Sequence, residues 1–377
     1  MTVFRASILA GSCLAACGAP SVAPPRAAPP APTVAAAPAT VPVGAARVAT
    51  PPPPGPQTAR LLADSLALPG ATPPVSLDLI FYEPSRSRVW VPAGGTGSVA
   101  VFDVAKHEFT RVDGFKTAEK EARGKKRVVG PSAGAIGERF AYIGNRATQE
   151  VCAVELETLH AGACLKLAAA PDAVAYISAT HEVWATTPST QSVVVLEAAP
   201  NGLLKQRAVI KLEGEPECYA VDAARGLFFT NLEDKGTTIA IDLKTHAVKG
   251  SWSAGCAADG PRGVAVDSAR GLLLVACTDH VQALDLAHGG ALLGKLETGA
   301  GVDNIDYVSS TGLLYVAAAK AARLTVARVG NHGELAPIAT AETAVGARNA
   351  VADGNGNAYV ADAQGARLLE LRPTAGQ

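Results

Sequence analysis

The chain has 377 residues and a formal net charge of −1, from 33 lysine and arginine residues against 34 aspartate and glutamate residues. This balance excludes a bulk field that would attract nucleic acid or another polyanion, so an electrostatic partner would need a local charged patch. Hydrophobic residues make up 48% of the chain but aromatic residues only 5%. Thin cores of small side chains between stacked sheets fit this composition better than one bulky centre.

The first sixteen residues have the layout of an export signal. Arg5 precedes an apolar run, residues 6–16, that is too short to span a membrane as a mature helix. The run ends in Leu14-Ala15-Ala16-Cys17, which resembles the bacterial lipobox and implies that Cys17 is lipidated. We therefore expect residues 1–16 to be a lipoprotein signal peptide. An ordinary cleaved signal with an incidental cysteine is the alternative.

The segment after the signal has the composition of a tether. Residues 17–58 are mostly alanine, proline and valine, and Arg26 and Arg47 are their only charges, so they cannot bury enough surface to form a core. Gly18 stands where an aspartate would be expected to keep such a lipoprotein in the inner membrane. The resemblance thus implies an outer-membrane lipoprotein that faces the periplasm or the cell surface.

Two nearly identical octapeptides, 45 residues apart, organise the rest of the chain. They are Ala220-Val221-Asp222-Ala223-Ala224-Arg225-Gly226-Leu227 and Ala265-Val266-Asp267-Ser268-Ala269-Arg270-Gly271-Leu272. Each predicts the end of one strand, a tight turn and the start of the next strand, with the aspartate as cap and the glycine as permissive backbone. Asp222 and Asp267 are therefore predicted to be turn residues without a chemical role.

Seven repeats of four short strands are predicted. Their second strands carry the landmarks Trp90, Tyr142, Trp184, Phe229, Leu274, Tyr315 and Tyr359, in steps of 41 to 52 residues. Because no helical periodicity separates them, the pattern is typical of a β-propeller. We predict an all-β, seven-bladed propeller of four-stranded antiparallel blades over residues 59–377. The seventh repeat lacks a fourth strand, and the apolar stretch 59–68 is predicted to supply it and close the ring.

Five cysteines lie within the predicted propeller. Cys256 precedes and Cys277 ends the first hairpin of blade five, whereas Cys152 and Cys164 lie on the third and fourth strands of blade two. An exported protein can oxidise such pairs, so Cys256–Cys277 and Cys152–Cys164 are predicted disulfide bonds. Cys218 is left as a buried thiol or as a competitor for Cys256. Five reduced core cysteines are the alternative.

The blade sequences together resemble the YVTN-repeat, YncE-like β-propeller family. The resemblance is carried by segments 77–82, 88–93, 97–103, 231–235, 255–267 and 301–304, with Cys277 closing the hairpin that follows Cys256. It covers residues 59–373, although the Tyr-Val-Thr-Asn core is altered to Phe-Phe-Thr-Asn at 228–231. The family implies an exported propeller and no single shared activity.

Polar residues that open the innermost strands are predicted to surround the upper mouth of the central channel. They are Asp78, Asp172, Glu217, Arg262, Asp303, Asn304, Arg348 and Asn349. The four carboxylates are candidate ligands for calcium or another divalent metal. The other four residues are candidates for ligand binding. The alternative is a water-filled polar funnel in which Arg262 and Arg348 pair with the acids.

The insertion between blades one and two, residues 116–127, has a basic end. This end is a candidate surface for nucleic acid or for anionic headgroups. Glu119 and Glu121 interrupt the basic run, and no aromatic residue is available within it to stack on bases. A solvated loop or a short helix is therefore the structural expectation.

The leading hypothesis is an outer-membrane-anchored propeller lipoprotein that acts as a binding or protein-interaction module in the cell envelope. Its seven histidines are scattered over separate turns and strand ends, and no catalytic constellation or cofactor motif is recognised, so catalysis is not expected. The expected partners are the membrane, through the lipid on Cys17, and an envelope protein or a small-molecule ligand. A metal-dependent hydrolase or lyase that uses the channel carboxylates is the first alternative. A nucleic-acid or anion binder that uses residues 116–127 is the second.

Overall fold

The computed structural model describes residues 59–122, 124–256 and 260–373. The predicted signal peptide, the tether and the lipidation site Cys17 lie outside these residues. The described chain consists of strands, turns and the short 3-10 helices Pro84–Arg86, Gly94–Thr96, Pro188–Thr190 and Glu233–Lys235. None of the helices in these ranges is long and apolar enough to cross a bilayer.

The strands are numbered in chain order. The first is β1 (Ala59–Ala67), and blade one contains β2 (Phe81–Glu83), β3 (Arg88–Ala93), β4 (Ser98–Asp103) and β5 (Glu108–Val112). An inserted hairpin contains β6 (Ala118–Ala122) and β7 (Lys125–Val129). Blade two contains β8 (Pro131–Ile136), β9 (Phe140–Asn145), β10 (Glu150–Glu155) and β11 (Ala161–Lys166). Blade three contains β12 (Val174–Ile177), β13 (Glu182–Thr187), β14 (Ser192–Ala198) and β15 (Leu204–Lys211).

The remaining blades follow the same order. Blade four contains β16 (Pro216–Asp222), β17 (Leu227–Leu232), β18 (Thr237–Asp242) and β19 (Val248–Ser253). Blade five contains β20 (Val264–Asp267), β21 (Leu272–Ala276), β22 (His280–Asp285) and β23 (Ala291–Glu297). Blade six contains β24 (Val302–Val308), β25 (Leu313–Ala318), β26 (Arg323–Val329) and β27 (Leu335–Glu342). Blade seven contains β28 (Arg348–Ala352), β29 (Ala358–Asp362) and β30 (Arg367–Pro373).

The described strands form seven four-stranded antiparallel blades, in which neighbouring strands are consecutive in sequence apart from β1. The predicted propeller is therefore confirmed. All seven landmark residues lie in second strands and are at most 3% exposed. Their burial explains the repeat, because each fills the space between two sheets.

The N-terminal strand closes the ring, as predicted. β1 pairs antiparallel with β30 from Leu61 to Ala67, and thus becomes the outer strand of blade seven. Its first residues, Ala59 and Arg60, also pair in parallel with β27 of blade six. One strand from the start of the chain therefore joins the last two blades.

Seven hydrophobic clusters of described residues hold the blades together, and each spans two neighbouring blades. Trp184 of blade three, for example, packs on Phe228 of blade four with their ring centroids 5.0 Å apart. Because side chains alternate between the two faces of a sheet, every blade contributes to the clusters on both sides. The apolar core is thus distributed around the ring, which leaves the central channel to the innermost strands.

The two octapeptide turns also connect neighbouring blades. Asp222 accepts the backbone N–H of Arg225 at 3.0 Å, and the Arg225 guanidinium donates to the carbonyl of Ser268 in blade five at 2.6 Å. In the second copy the guanidinium of Arg270, held by Asp267, donates to the carbonyl of Val329 in blade six at 2.7 Å. In each copy the aspartate thus caps the turn, and the arginine forms a hydrogen bond to the next blade.

The insertion between blades one and two forms the antiparallel hairpin β6–β7, so the expectation of a loop or a short helix was wrong. Gly124 supplies the left-handed turn, with a φ of 70°. Glu121 lies directly opposite Lys126 across the two strands, and such opposite charges stabilise an antiparallel pair. Cross-strand pairing thus outweighs the helical propensity of this alanine- and charge-rich segment.

The structure contains the disulfide bonds Cys152–Cys164 and Cys256–Cys277, which are the pairs that the sequence predicts. Cys152 and Cys164 are direct partners across β10 and β11. Cys218 is a free and buried thiol, so it does not compete for Cys256. Two disulfide bonds are consistent with an exported protein.

Candidate functional site

The upper end of the channel, where the innermost strands begin, is surrounded by charged side chains. We call six of them the charged ring: Asp78, Arg146, Asp172, Glu217, Asp303 and Arg348. They come from six blades, all except blade five. The four carboxylates predicted to lie at the channel mouth are thus brought together.

Irregular strand pairing occurs next to three of the six ring residues: Glu217, Asp303 and Arg348. Register shifts occur in the innermost strands of blades two, four, six and seven, between the residue pairs Pro131/Ala133, Glu217/Ala220, Val302/Ile305 and Arg348/Ala350. Cys218 and Asn349 at two of these bulges have positive φ angles of 54° and 62°. A bulge inserts residues into one strand and redirects its side chains. Half of the ring therefore lies where regular pairing is interrupted, whereas Asp78, Asp172 and Arg146 lie just outside strands.

Two guanidinium groups join three of the carboxylates. Arg146 Nη1 lies 2.5 Å from Asp78 Oδ2, and its other terminal nitrogen contacts Asp172. Arg348 lies 3.3 Å from Asp78 Oδ1 and 3.1 Å from Asp303 Oδ2. The resulting chain of ion pairs crosses the channel from blade three to blade six.

Glu217 is the carboxylate that this chain of ion pairs leaves out. Within the described residues, no cationic side chain forms an ion pair with it. Burial raises its pKa well above the ordinary value, and the nearby charges of Asp172 and Asp303 raise it further. With all groups ionised, the ring holds four negative and two positive charges, so its net charge is negative. A bound cation would therefore be attracted to the ring, and Glu217 could pair with it.

Arg146 was missed by the sequence analysis, which considered only the residues that open innermost strands. It follows β9, a second strand, and reaches the ring from there. Glu233 has the equivalent place after β17 and pairs with Arg262 at 2.6 Å. A charged residue directly after a second strand is thus the signal that could have identified both.

The other predicted mouth residues divide between two places. Arg262 is held by Glu233 beside the ring. Asn349 is 1% exposed and directs its amide nitrogen to Asp78 at 3.5 Å, while its amide oxygen has no partner. Asn304 lies lower, in the wall of the channel cavity. Of the two arginines expected to pair with the mouth acids, Arg348 pairs with Asp78 and Asp303, whereas Arg262 pairs with Glu233.

The four predicted metal ligands meet at the channel mouth, but among the described residues no three of their carboxylates have ligand atoms within 4.8 Å of one another. In the described parts of the chain, the groups of three potential ligands whose ligand atoms lie within 4.8 Å of one another are Glu150/Cys152/Cys164 and Asp279/His280/Glu297. Neither group includes a ring carboxylate, and the two cysteines of the first are joined to each other. In the second, His280 is already engaged by Asp279 at 2.5 Å and by Gln282 at 2.9 Å.

The hairpin β6–β7 flanks the mouth beside Arg146. Lys120 Nζ donates to the backbone carbonyl of Arg146 at 2.8 Å, and the amide of Asn145 donates to the carbonyl of Lys116 at 3.1 Å. Lys126 and Arg127 on the same hairpin are exposed. An acidic ring thus lies next to a basic arm.

Comparison with known proteins identifies the fold. No family model matches the chain, and no curated protein matches its sequence. Virginiamycin B lyase from Staphylococcus aureus is similar in structure, with a TM-score of 0.64, 9% identity, and coverage of 83% of this chain and 100% of that one. The Cps50 (Swd1) β-propeller domain of Myceliophteria thermophila has a TM-score of 0.65 at 9% identity, with the same coverage.

A third solved structure, of the RRP9 WD40 repeats, has a TM-score of 0.60 at 12% identity and covers 83% of this chain and 100% of that one. At 9 to 12% identity these similarities establish the architecture alone. Together with the seven blades they show that the chain is a β-propeller protein.

Proposed function

We propose that this protein is an exported, lipid-anchored propeller of the YncE-like kind that binds an envelope partner at the upper mouth of its channel. A cationic side chain of the partner occupies the position next to Glu217. The observation that carries this proposal is Glu217 itself, a carboxyl group with a raised pKa among other acids. A buried acid without a cation costs stability, and such groups cluster at functional sites.

Three further features support the proposal. The propeller fold suggests a binding or protein-interaction module. The lipobox resemblance at Cys17 and the two disulfide bonds support export to an oxidising envelope compartment. The exposed cations Lys126 and Arg127 lie beside the mouth. They would contact acidic groups of the same partner, so the anion-binding surface predicted at residues 116–127 would take part in the same binding.

The ion pairs favour binding over metal-dependent catalysis. Arg146 and Arg348 already form ion pairs with Asp78, Asp172 and Asp303. Calcium and magnesium prefer six or more oxygen ligands, so either ion would compete with both guanidinium groups for the ring carboxylates. An additional ammonium or guanidinium group could pair with Glu217 and leave both arginines in place.

A defined probe tests the proposal. Calorimetric titration would compare Nα-acetyl-lysine methylamide with Nα-acetyl-norleucine methylamide, which has a similar shape and no charge. We expect the lysine derivative alone to bind the wild type, and Glu217→Gln to weaken its binding about tenfold, the usual effect of losing a charged hydrogen bond.

Asp285→Asn is the matched control. Asp285 is a carboxylate in the third-to-fourth turn of blade five, at the lower face, and it contacts His288 at 2.7 Å. Its replacement should leave lysine-probe binding unchanged. Equal binding of the lysine probe to the wild type and to Glu217→Gln would contradict the proposal, as would equal binding of the charged and neutral probes to the wild type.

A further inference from the structure

The channel contains a second compartment that the charged ring does not line. A cavity of about 600 Å³ is enclosed by innermost strands of six blades, with apolar wall residues such as Ile80, Ala220, Val264, Ile305 and Val351. It extends to Pro84, Ser309 and Ser310 in exposed turns of the lower face. We call this cavity the lower chamber. Its volume lies within the range of small-molecule sites.

One carboxylate is built into the wall of the lower chamber. Asp306 on β24 accepts the backbone N–H of Ala352 from blade seven at 2.8 Å, so its position is fixed by the neighbouring blade. In the described parts of the chain, Asp306 forms no ion pair with a basic side chain. The chamber thus presents a positioned negative charge on a wall that combines apolar side chains with polar groups.

The surroundings of Asp306 are those of a group that lacks its counter-ion. Burial raises the pKa of Asp306 to about 6, although backbone N–H groups of Ala352 and Tyr307 partly oppose the rise. At neutral pH the carboxyl group is therefore mainly ionised. A carboxylate without a basic partner in a partly apolar wall gives a bound cation an electrostatic partner that water screens less than on the open surface.

An aromatic ring lies in the same wall. Tyr219 lines the lower chamber and stacks on Phe228 with their ring centroids 5.7 Å apart. Burial raises the pKa of Tyr219, and the charges of Cys218 and Asp306 add to the rise. Tyr219 therefore lies within the field of Asp306. A carboxylate and an aromatic face together are suited to recognise an organic ammonium group.

We propose that the lower chamber binds a small amphipathic amine, whose ammonium group pairs with Asp306 and whose apolar part packs on the Val, Ile and Ala side chains of the wall. A metal ion does not fit this site, because one carboxylate cannot supply the six to eight oxygen ligands that calcium prefers. An anion does not fit either, since Asp353 contributes a second carboxylate to the lining. The site is separate from the ring and goes beyond the function proposed for it.

The experiment uses 2-phenylethylamine and its uncharged analogue 2-phenylethanol as probes, titrated against the whole protein with ligand-observed NMR. We expect the amine to bind the wild type about tenfold more tightly than the alcohol does. We expect Asp306→Asn to weaken amine binding about tenfold and to leave alcohol binding unchanged. The asparagine keeps an acceptor for Ala352 N–H, so the fold is retained.

Two control variants separate this site from the ring. Asp303→Asn removes a ring carboxylate, and Asp285→Asn removes one in an outer turn of the lower face. Asp285→Asn should leave amine binding unchanged, whereas Asp303→Asn reports any amine that binds at the ring and should weaken amine binding much less than Asp306→Asn does. The proposal is overturned if the wild type shows no saturable amine binding, if it binds amine and alcohol equally, or if Asp303→Asn weakens the amine as much as Asp306→Asn. The wild-type comparison of the two probes tests for a charge-dependent site, and the comparison of the two variants assigns that site to the lower chamber or to the ring.

Discussion

Glu217 shows how a single side chain connects the stability of the protein to its proposed function. Its carboxyl group is surrounded by acids, and its raised pKa means that the folded protein binds a proton that the unfolded chain releases at lower pH. Ionisation of Glu217 therefore opposes folding. A residue that lowers stability in this way is expected where a ligand compensates for it.

The variant Glu217→Gln should consequently be more stable than the wild type at high pH. Because the folded pKa lies above the ordinary glutamate value of 4.5, the penalty is absent below that pH, grows as the pH rises above it, and is complete once the pH has passed the folded pKa. Thermal melts from pH 4 to pH 9 should show the two curves diverging on the alkaline side. Parallel curves would mean that ionisation of Glu217 does not lower the stability of the folded protein.

The sequence predicts the ring carboxylates but not their partners, for a physical reason. Asp78, Asp172 and Asp303 could be placed because each lies at the start of an innermost strand, and strand starts meet at one end of a propeller. Arg146 reaches the same place from the end of a second strand through its long side chain. Asp306 was missed because a β-bulge above it changes which side chains of β24 face the channel.

At the scale of elements, the octapeptide turns bind neighbouring blades to one another. Arg270 donates to the carbonyls of Val329 at 2.7 Å and Gly330 at 2.8 Å while Asp267 holds it in place. We expect Arg270→Ala to lower the free energy of unfolding by roughly 2–4 kcal/mol, because several charged hydrogen bonds at a partly buried site are lost together. Urea denaturation measures this change.

The matched control for Arg270→Ala is Arg139→Ala. Arg139 is 66% exposed and makes one ion pair, of 3.4 Å, with Glu155. Its replacement should change stability by less than about 1 kcal/mol. Equal effects of the two substitutions would show that the octapeptide arginines do not bridge blades in solution.

The closing strand β1 provides the second prediction at this scale. Deletion of residues 59–67 removes the outer strand of blade seven and exposes the edges of β30 and β27. We expect Tm to fall by roughly 10 °C or more, since several kcal/mol of strand pairing and packing are lost. Removal of an equal length of the predicted tether, residues 45–53, should leave Tm unchanged. An unaltered Tm after deletion of β1 would contradict its role in closure.

Elements were predicted well where their pattern repeats and less well where it does not. Each blade carries the same alternation, turn chemistry and buried landmark, so seven copies reinforce one interpretation. The insertion 116–127 has no second copy, and its alanine, glutamate, lysine and arginine residues favour a helix. The register of the hairpin instead follows from the turn at Gly124 and from the Glu121–Lys126 pair. These residues predict a hairpin only if the segment is already assumed to form two antiparallel strands.

At the scale of the whole propeller, the two proposed binding sites lie at opposite ends of the channel. Apolar clusters occupy all seven interfaces between blades, so the innermost strands are free to carry polar groups. The charged ring and the lower chamber divide the channel between them. The near-neutral net charge of −1 hides this arrangement, because opposite charges are grouped in separate places.

Capture of partners from the cell envelope tests the central claim most directly. The wild type, Glu217→Gln and Asp285→Asn would be immobilised in equal amounts and incubated with solubilised envelope, and the retained proteins would be quantified by mass spectrometry. We predict that one set of proteins is retained by the wild type and by Asp285→Asn and is depleted about tenfold on Glu217→Gln. Retention of the same proteins in equal amounts by all three would contradict a binding function at the charged ring.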